Sequence, residues 1–240
     1  MGAYDAASEV ADSFQSLIVG RRSIDAFDTT KVDEEVVNRA VQCAIAAPNR
    51  SCTEPWRFIC IGSKTVTKFA ALKTQLSQND TTQNQSFTKN FNLYDRDWTQ
   101  VAPGWCVVTT KLRSSSSLSK DENENKNDSV GADVIDDDIN INSNNNNDDV
   151  WSTKVDPEDY KSVCCAIQNF MLSMWSEGIG TKWAAGPVQK TQEFADLCGI
   201  DLNNECVVGI IWYGYASGGA KYADPRRRRL SVEDVLSHLP

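Results

Sequence analysis

Hydrophobic residues recur every three or four positions in the first stretches of this chain, a spacing that predicts amphipathic helices. The first helix is expected over residues 8–19, followed directly by Gly20, a residue suited to a helix end. The second is expected to begin after Asp33, a residue type that caps helix N-termini. It is expected to stop before Pro48, because the residue preceding a proline avoids helical geometry. The apolar stripe of the first helix consists of Val10, Phe14, Leu17 and Ile18. The stripe of the second helix is expected to be buried and consists of Val37, Val41, Ala44 and Ile45.

Three further helices follow from the same spacing. Residues 64–75 form one, and residues 158–177 form the most regular helix of the chain, which we expect to cross the hydrophobic centre. Pro187 can open a third helix that extends to about residue 198, since proline is tolerated in a first turn.

Short apolar runs between these helices predict strands. Strands are expected at 58–61, 105–109 and 205–215, and a short extended piece at 181–185. The first of these strands is expected to be buried. Strands and helices are mixed without regular βαβ alternation, which indicates an α+β domain whose sheet is covered by helices.

Residues 113–150 have a different composition from the rest of the chain, since they consist largely of Ser, Asn and Asp. They carry ten acidic and three basic residues, a net charge of −7 out of −9 for the whole chain, which leaves −2 elsewhere. Such a segment cannot offset the entropy of ordering itself. We expect a disordered insertion within a single domain of residues 8–239; an acidic docking segment is the alternative.

Composition narrows the possible functions. The negative net charge argues against nucleic-acid binding, and no apolar run is long enough to span a membrane, so we expect a cytoplasmic protein. Cysteines in apolar runs, such as Cys60, Cys106 and Cys206, are interpreted as reduced core residues, and no Cys/His set has metal-ligand spacing. The single histidine, His238, lies near the end of the sequence, so we expect a cofactor to perform the chemistry.

Three stretches carry recognisable motifs. The first is Arg-Arg-Ser-Ile-Asp-Ala-Phe at 21–27, and the second is Ala-Pro-Asn-Arg-Ser-Cys-Thr-Glu-Pro-Trp-Arg-Phe at 47–58. The third runs from Gly-Ile-Gly at 178–180 through Trp183 to the apolar residues 207–211. Together, in this order, they resemble the nitroreductase family of flavin mononucleotide (FMN) enzymes.

The resemblance implies a three-layer α/β/α sandwich with a central mixed sheet, assembled as an intertwined homodimer that holds FMN at the subunit interface. It implies a ping-pong reaction in which NADH or NADPH reduces the flavin and a small acceptor, such as a nitroaromatic or quinone, reoxidises it. No protein side chain is then required as a catalytic nucleophile. A related flavoenzyme for dehalogenation or flavin breakdown, its acceptor selected around residues 77–100, and a non-catalytic scaffold that retains the fold are the alternatives.

Arginine suits the FMN phosphate because its planar fork donates paired charge-assisted hydrogen bonds. The resemblance assigns this role to Arg21, Arg22 and Ser23, and we expect Arg22 to stabilise the N1 and O2 edge of the reduced ring. A pair of arginines on a solvated turn after a helix is the structural alternative.

The resemblance extends to further cofactor neighbours. Those expected from the second subunit are Pro48, Asn49, Arg50 and Ser51, and those expected beside the flavin N5 edge are Trp183, Ala184, Ala185 and Gly186. Departures from the family pattern occur at Cys52, Glu54 and Asp25, the last of which replaces a common basic residue. At the C-terminal end, Arg227 and Arg229 are expected to reach the phosphate, with a basic patch of four arginines at 226–229 as the alternative.

Overall fold

The computed structural model describes residues 3–79, 101–113, 154–218 and 230–239. The helices found there are α1 (Ala3–Gly20), α2 (Glu34–Ile45), α3 (Ser63–Asn79), α4 (Pro157–Ser176) and α5 (Gln192–Cys198). The strands found there are β1 (Trp56–Ile61), β2 (Gly104–Lys111), β3 (Gly180–Ala184) and β4 (Glu205–Gly214). Each predicted strand and helix therefore has a counterpart, apart from the helix predicted over 187–198, which is divided.

The described strands form one sheet in the order β1-β2-β4-β3. The sheet predicted as mixed is antiparallel in its three described pairings, and parallel geometry occurs in the isolated bridge between Ser23 and Thr181. Consecutive strands β3 and β4 can pair antiparallel because the short segment between them, which contains α5, reverses the chain. The α+β class is confirmed.

Helices cover both faces of the sheet and complete three layers. One core lies between the sheet and α2 with α4, where Phe58 and Phe170 stack with ring centroids 5.8 Å apart. The other core lies between the sheet and α3 with α5, where Phe69 and Phe194 stack at 4.7 Å. The predicted α/β/α sandwich is thus confirmed.

Two helices begin at the side chains that cap them. Asp33 accepts a hydrogen bond from the Glu35 amide at the start of α2, as predicted. Asp156 does the same for the amides of Glu158 and Asp159 at the start of α4. These carboxylates satisfy amide groups that have no partner within the helix.

The predicted buried stripe of α2 is partly wrong. Val37 and Ala44 are buried, as is Ala40, but the Ile45 side chain is 52% exposed. Ile45 is the last residue of α2, where the helix has already turned that side away from α4 and the sheet.

The segment 187–198 forms a 3-10 turn at Pro187–Lys190 and then α5, rather than one helix. Thr191 separates them: its φ and ψ of −89° and 150° are extended, and its hydroxyl accepts a hydrogen bond from the Phe194 amide. The extended backbone breaks the helix, and the hydroxyl caps the next one.

Strand β1 is an edge strand and is only partly buried, in contrast to the prediction for 58–61. Arg57 and Cys60 are exposed, because no described strand covers the outer edge of β1. The expectation that Cys60 is a core residue is therefore wrong, whereas Cys106 and Cys206 are buried free thiols.

The ends of the predicted insertion lie next to each other. The Arg113 amide donates a 2.8 Å hydrogen bond to the Lys154 carbonyl, and the Arg113 guanidinium forms an ion pair with Asp156 at 2.7 Å. Residues 114–153 lie outside the described residues, so their predicted disorder stays a prediction. In the described part of the chain, no helix combines the length and apolar character needed to cross a membrane.

Candidate functional site

The Arg-Arg-Ser turn is attached to strand β3. It begins where α1 ends, with the Arg21 amide bonded to the Leu17 carbonyl at 3.0 Å. Ser23 then pairs with Thr181, and the Ile24 amide donates to the Thr181 carbonyl at 3.0 Å. Ile24 is 1% exposed. The buried isoleucine therefore anchors the turn, and the polar residues that precede it stay near the surface.

Gly180 makes this attachment possible. A Cβ atom on Gly180 would lie 2.6 Å from Cγ1 of Ile24, well inside van der Waals contact. A larger residue at the start of β3 would push the turn away from the sheet. The second glycine of the Gly-Ile-Gly motif thus has a packing role.

The two arginines of the turn are half-buried, and Ser23 is exposed. Nη1 of Arg22 donates to the Arg21 carbonyl at 2.9 Å and also contacts the Val19 carbonyl. A cation on the last carbonyls of α1 stabilises the helix end. Arg22 therefore makes the contacts expected of an arginine on a turn after a helix, which was the structural alternative. It also lies in the turn that is predicted to bind the cofactor.

The segment Trp183 to Gly186 continues from the same strand. The Trp183 ring covers Gly209, where a Cβ would lie 2.1 Å from Nε1 of Trp183. Ala184 is buried, and its carbonyl accepts a 3.2 Å hydrogen bond from the buried Gln189 side chain. Ala185 is exposed, and a Cβ on Gly186 would meet no atom within 4 Å. The backbone is therefore accessible where the chain leaves the sheet.

Lys182 is a residue of this region that sequence reasoning missed. Its Nζ atom forms an ion pair with Asp25 and lies 5.6 Å from the centroid of the Trp212 ring. Position 25 has an acidic residue in place of the basic residue that the family pattern predicts. The positive charge at this place comes instead from Lys182 on the neighbouring strand β3. The only sequence signal is a lysine within a strand of otherwise uncharged residues, opposite an acidic residue in the Arg-Arg-Ser segment.

Thr181 contributes a buried polar atom beside the turn. Its residue is 0% exposed, and its Oγ1 atom has no hydrogen-bond partner among the described residues. A buried hydroxyl without a partner costs about 1–3 kcal/mol. A group that met this hydroxyl would recover that cost, but the chain itself encloses the atom, so a ligand reaches it only if the surrounding residues move.

The loop between α2 and β1 is held by polar contacts. Nδ2 of Asn49 donates to Oγ1 of Thr53 at 3.1 Å, and Oδ1 of Asn49 accepts from the Glu54 amide at 2.9 Å. Cys52 and Glu54 have φ angles of 49° and 43°, a left-handed conformation that is costly for residues other than glycine. Such strain is typical of loops with a binding role.

The side chains of residues 48–51 lie at or near the surface. Pro48, Arg50 and Ser51 are exposed, and Asn49 is half-buried. The loop adjoins the start of β1, where Trp56 pairs with Thr110.

One chain does not bring the predicted site residues together. Ser23 lies beside β3, one edge strand, whereas the 48–51 loop leads into β1, the opposite edge. The turn and the loop also lie at opposite ends of β4. On the turn side, Thr181 pairs with Tyr213 near the end of β4. On the loop side, Lys111, whose amide donates to the Pro55 carbonyl, pairs with Glu205 at the start of β4. Strand geometry separates these ends by about 25 Å along the sheet.

Arg227 and Arg229 lie outside the described residues, so their predicted phosphate contacts stay predictions. A cavity of about 340 Å³ lies between α3 and α5, but none of the predicted site residues lines it.

Comparisons with known proteins agree with the motifs. The model of the nitroreductase family matches residues 18–215. A putative NAD(P)H nitroreductase of Bacillus subtilis strain 168, YfhC, is 28% identical over 231 residues, which cover 94% of this chain and 93% of that protein.

Solved structures share the fold. A BluB-like flavoprotein from Clostridium difficile 630 superposes with a TM-score of 0.61 at 16% identity, covering 94% of this chain and 98% of its own. A nitroreductase with bound FMN from Bacteroides fragilis NCTC 9343 has a TM-score of 0.59 at 14% identity, covering 95% and 98%. Because the family model spans most of the sequence, this chain belongs to the nitroreductase family.

Proposed function

We propose that this chain is an FMN-dependent oxidoreductase that uses NADH or NADPH to reduce small acceptors such as nitroaromatics or quinones. We further propose that it acts as an intertwined homodimer with FMN between the subunits. The observation that carries the proposal is the position of two sets of predicted site residues. The Arg21–Ser23 turn and the 48–51 loop lie at opposite edges and opposite ends of one sheet. A second copy can bring its 48–51 loop to the Arg21–Ser23 turn, which a single chain cannot.

Exposed apolar surface supports the homodimer. Helix α1 presents Val10, Phe14 and Val19 at 69%, 57% and 58% exposure. The C-terminal segment exposes further large apolar side chains: Leu230, Val232, Val235, Leu236 and Leu239. Large exposed apolar side chains are a feature of protein–protein contact surfaces, and a partner subunit is the occupant that the separated site requires.

The residues of the turn fit the phosphate end of FMN. Arg21 and Arg22 bring two guanidinium groups within one turn, and the exposed Ser23 adds a hydroxyl donor. Thr181, whose hydroxyl has no hydrogen-bond partner in the described part of the chain, pairs with Ser23. This set suits an anion with several acceptor oxygens. Arg227 and Arg229 are proposed to join it.

The segment Trp183 to Gly186 fits the flat ring. The accessible backbone at Ala185 and Gly186 lets a planar group approach closely, and Trp183 is fixed in place by packing on Gly209. The chemistry that FMN supplies when bound is hydride acceptance from NAD(P)H and delivery to a second substrate in ping-pong order. The protein binds and orients the two partners, and the cations Arg22 and Lys182 favour negative charge near the turn.

The direct test of this function is spectroscopic. The purified protein is expected to be yellow, to release FMN on denaturation and to lose its flavin absorbance when NADH or NADPH is added without oxygen. Addition of a nitroaromatic or quinone is then expected to restore the absorbance. A colourless protein that takes up no FMN from excess would contradict the proposal and favour a scaffold role, and reoxidation by halogenated substrates alone would favour dehalogenation.

A further inference from the structure

Two cysteines face each other across the first two strands. Cys60 of β1 pairs directly with Cys106 of β2 in the antiparallel register. Directly opposed residues in antiparallel strands have Cα atoms about 4.5–5.5 Å apart, and disulfides span Cα distances of about 4.4–6.8 Å. The Cα separation of the two residues therefore lies within the range that a disulfide spans.

The two thiols differ in their access to solvent. Cys60 is exposed on the edge strand, whereas Cys106 is buried with 0% exposure in the core beneath α2 and α4. A dissolved oxidant thus reaches Cys60, while Cys106 is accessible only to a group already attached at Cys60. An accessible thiol beside a resolving thiol is typical of redox-sensitive cysteine pairs.

A tyrosine from the third strand of the sheet completes the cluster. Tyr213 of β4 pairs with Gly104 of β2, and a Cβ on Gly104 would lie 2.1 Å from Cε2 of Tyr213. The tyrosine ring therefore lies across β2 at the position of Gly104, where any side chain would displace it. This places the hydroxyl end of the ring on the β1 side, towards the cysteine pair.

The surroundings of Cys60 favour its thiolate. Hydrogen bonding from Cys106, and secondarily from Tyr213, lowers the pKa of Cys60 to about 7, against the opposing effects of partial burial and of Glu34 on α2. The hydrogen bond with Cys60 and burial raise the pKa of Cys106. At neutral pH the exposed sulfur is therefore the nucleophile, and the buried sulfur keeps its proton.

We propose that Cys60 and Cys106 form a peroxide-sensitive dithiol site that closes to a cross-strand disulfide. The Cys60 thiolate attacks one oxygen of hydrogen peroxide, the O–O bond breaks, and hydroxide leaves, giving a sulfenic acid. The Cys106 sulfur then attacks the Cys60 sulfur, the S–O bond breaks, and the oxygen leaves as water. In balance, two thiols lose two electrons and two protons while one peroxide becomes two waters. This site is independent of the flavin proposal.

The test begins with the unmodified, fully reduced protein. It is treated with stoichiometric hydrogen peroxide at pH 7, the remaining thiols are alkylated, and the protein is digested and mapped by mass spectrometry. We expect a disulfide-linked peptide pair that contains Cys60 and Cys106 and that dithiothreitol separates. Cys60 is expected to react about tenfold faster than an ordinary exposed thiol, because about half of it is ionised near pH 7.

Variants separate the two steps. In Cys106→Ala, the sulfenic acid of Cys60 is expected to form more slowly, because the hydrogen bond from Cys106 that lowers the pKa of Cys60 is lost. Once formed, it is expected to persist and to be trapped by dimedone, without a disulfide. Cys43→Ser, which removes another exposed cysteine, is the matched control and is expected to leave the linked peptide unchanged. Because the primary result comes from the unmodified protein, it stands even if the core variant folds poorly.

Each of three results would overturn the proposal. One is a disulfide that maps to a different pair of cysteines, and another is oxidation of Cys60 no faster than that of Cys43. Oxidation of Cys60 to a sulfinic acid in the unmodified protein, with Cys106 left reduced, would also contradict it.

Discussion

Ser23 pairs with Thr181 in an isolated parallel bridge, so the Arg-Arg-Ser turn is attached to the strand that continues to Trp183. Two motifs separated by about 150 residues of sequence thus become neighbours, as strand pairing allows. The remaining motif, at 47–58, includes the loop before β1, at the far edge of the same sheet. This arrangement is the basis of our proposal that two subunits share one site.

Replacement of Arg21 tests the phosphate assignment. In Arg21→Ala, we expect FMN affinity to fall about 10- to 150-fold, because loss of a charge-assisted hydrogen bond costs about 1.5–3 kcal/mol. Fluorescence titration of the apoprotein with FMN measures the change. Arg39→Ala is the matched control, since Arg39 lies on α2 and its guanidinium is paired with Glu177. Equal FMN affinity in both variants would refute the assignment.

The orphaned hydroxyl of Thr181 gives a second prediction. Thr181→Val removes an unsatisfied buried group, so the apoprotein is expected to gain about 1 kcal/mol in free energy of unfolding. FMN affinity is expected to fall, since Thr181 pairs with Ser23. Thr110→Val is the control: its hydroxyl also has no partner among the described residues, but it lies two strands from the turn. A Thr181 variant with undiminished FMN affinity would show that the hydroxyl does not meet the ligand.

The acidic segment is predicted to be dispensable for folding. Deletion of residues 115–149 leaves five residues between Arg113 and Lys154, which are joined by a backbone hydrogen bond. Loops of two to five residues commonly connect such adjacent backbone positions. We expect unchanged flavin content and dimer mass, measured by absorbance and light scattering. Loss of soluble dimer would contradict the prediction and favour a structural role for the segment.

The alkylation of Cys60 is expected to depend on pH in a specific way. Its pKa is lowered from 9.0 to about 7, so the rate of reaction with iodoacetamide should rise through neutral pH and level off above about pH 8. The depressed pKa stabilises the folded state above pH 9, and this contribution is lost as pH falls through 7. Mass-spectrometric rates at Cys60 measure the profile, and Tyr213→Phe should shift it upward. A midpoint near that of an ordinary thiol would contradict the lowered pKa.

Local features of the sequence predicted local structure well. The Asp33 cap was predictable because its side chain bonds to an amide only two residues away. Strands β2 and β4 were predictable because both of their faces are buried, which requires a continuous apolar run. The break at Thr191 was missed, although a threonine three residues before Phe194 is itself a capping signal.

Features that depend on distant contacts could not be predicted. Cys60 is exposed because β1 is an edge strand, and strand order is a property of the whole sheet. Lys182 meets Asp25 across 157 positions of sequence, which no local pattern reveals. The motifs of the site were found because their residue order is characteristic, but their separation within one chain appears only in the folded structure.

The subunit-shared site is tested most directly by mixed dimers. Arg21→Glu and Arg50→Glu homodimers should each retain little FMN, since the reversed charge is present in both of their sites. A mixed dimer of the two variants, isolated with different affinity tags, has both changes in one site and neither in the other. We predict one FMN per mixed dimer by absorbance. A mixed dimer as empty as its parents would contradict the account, because sites formed within one chain would all be damaged.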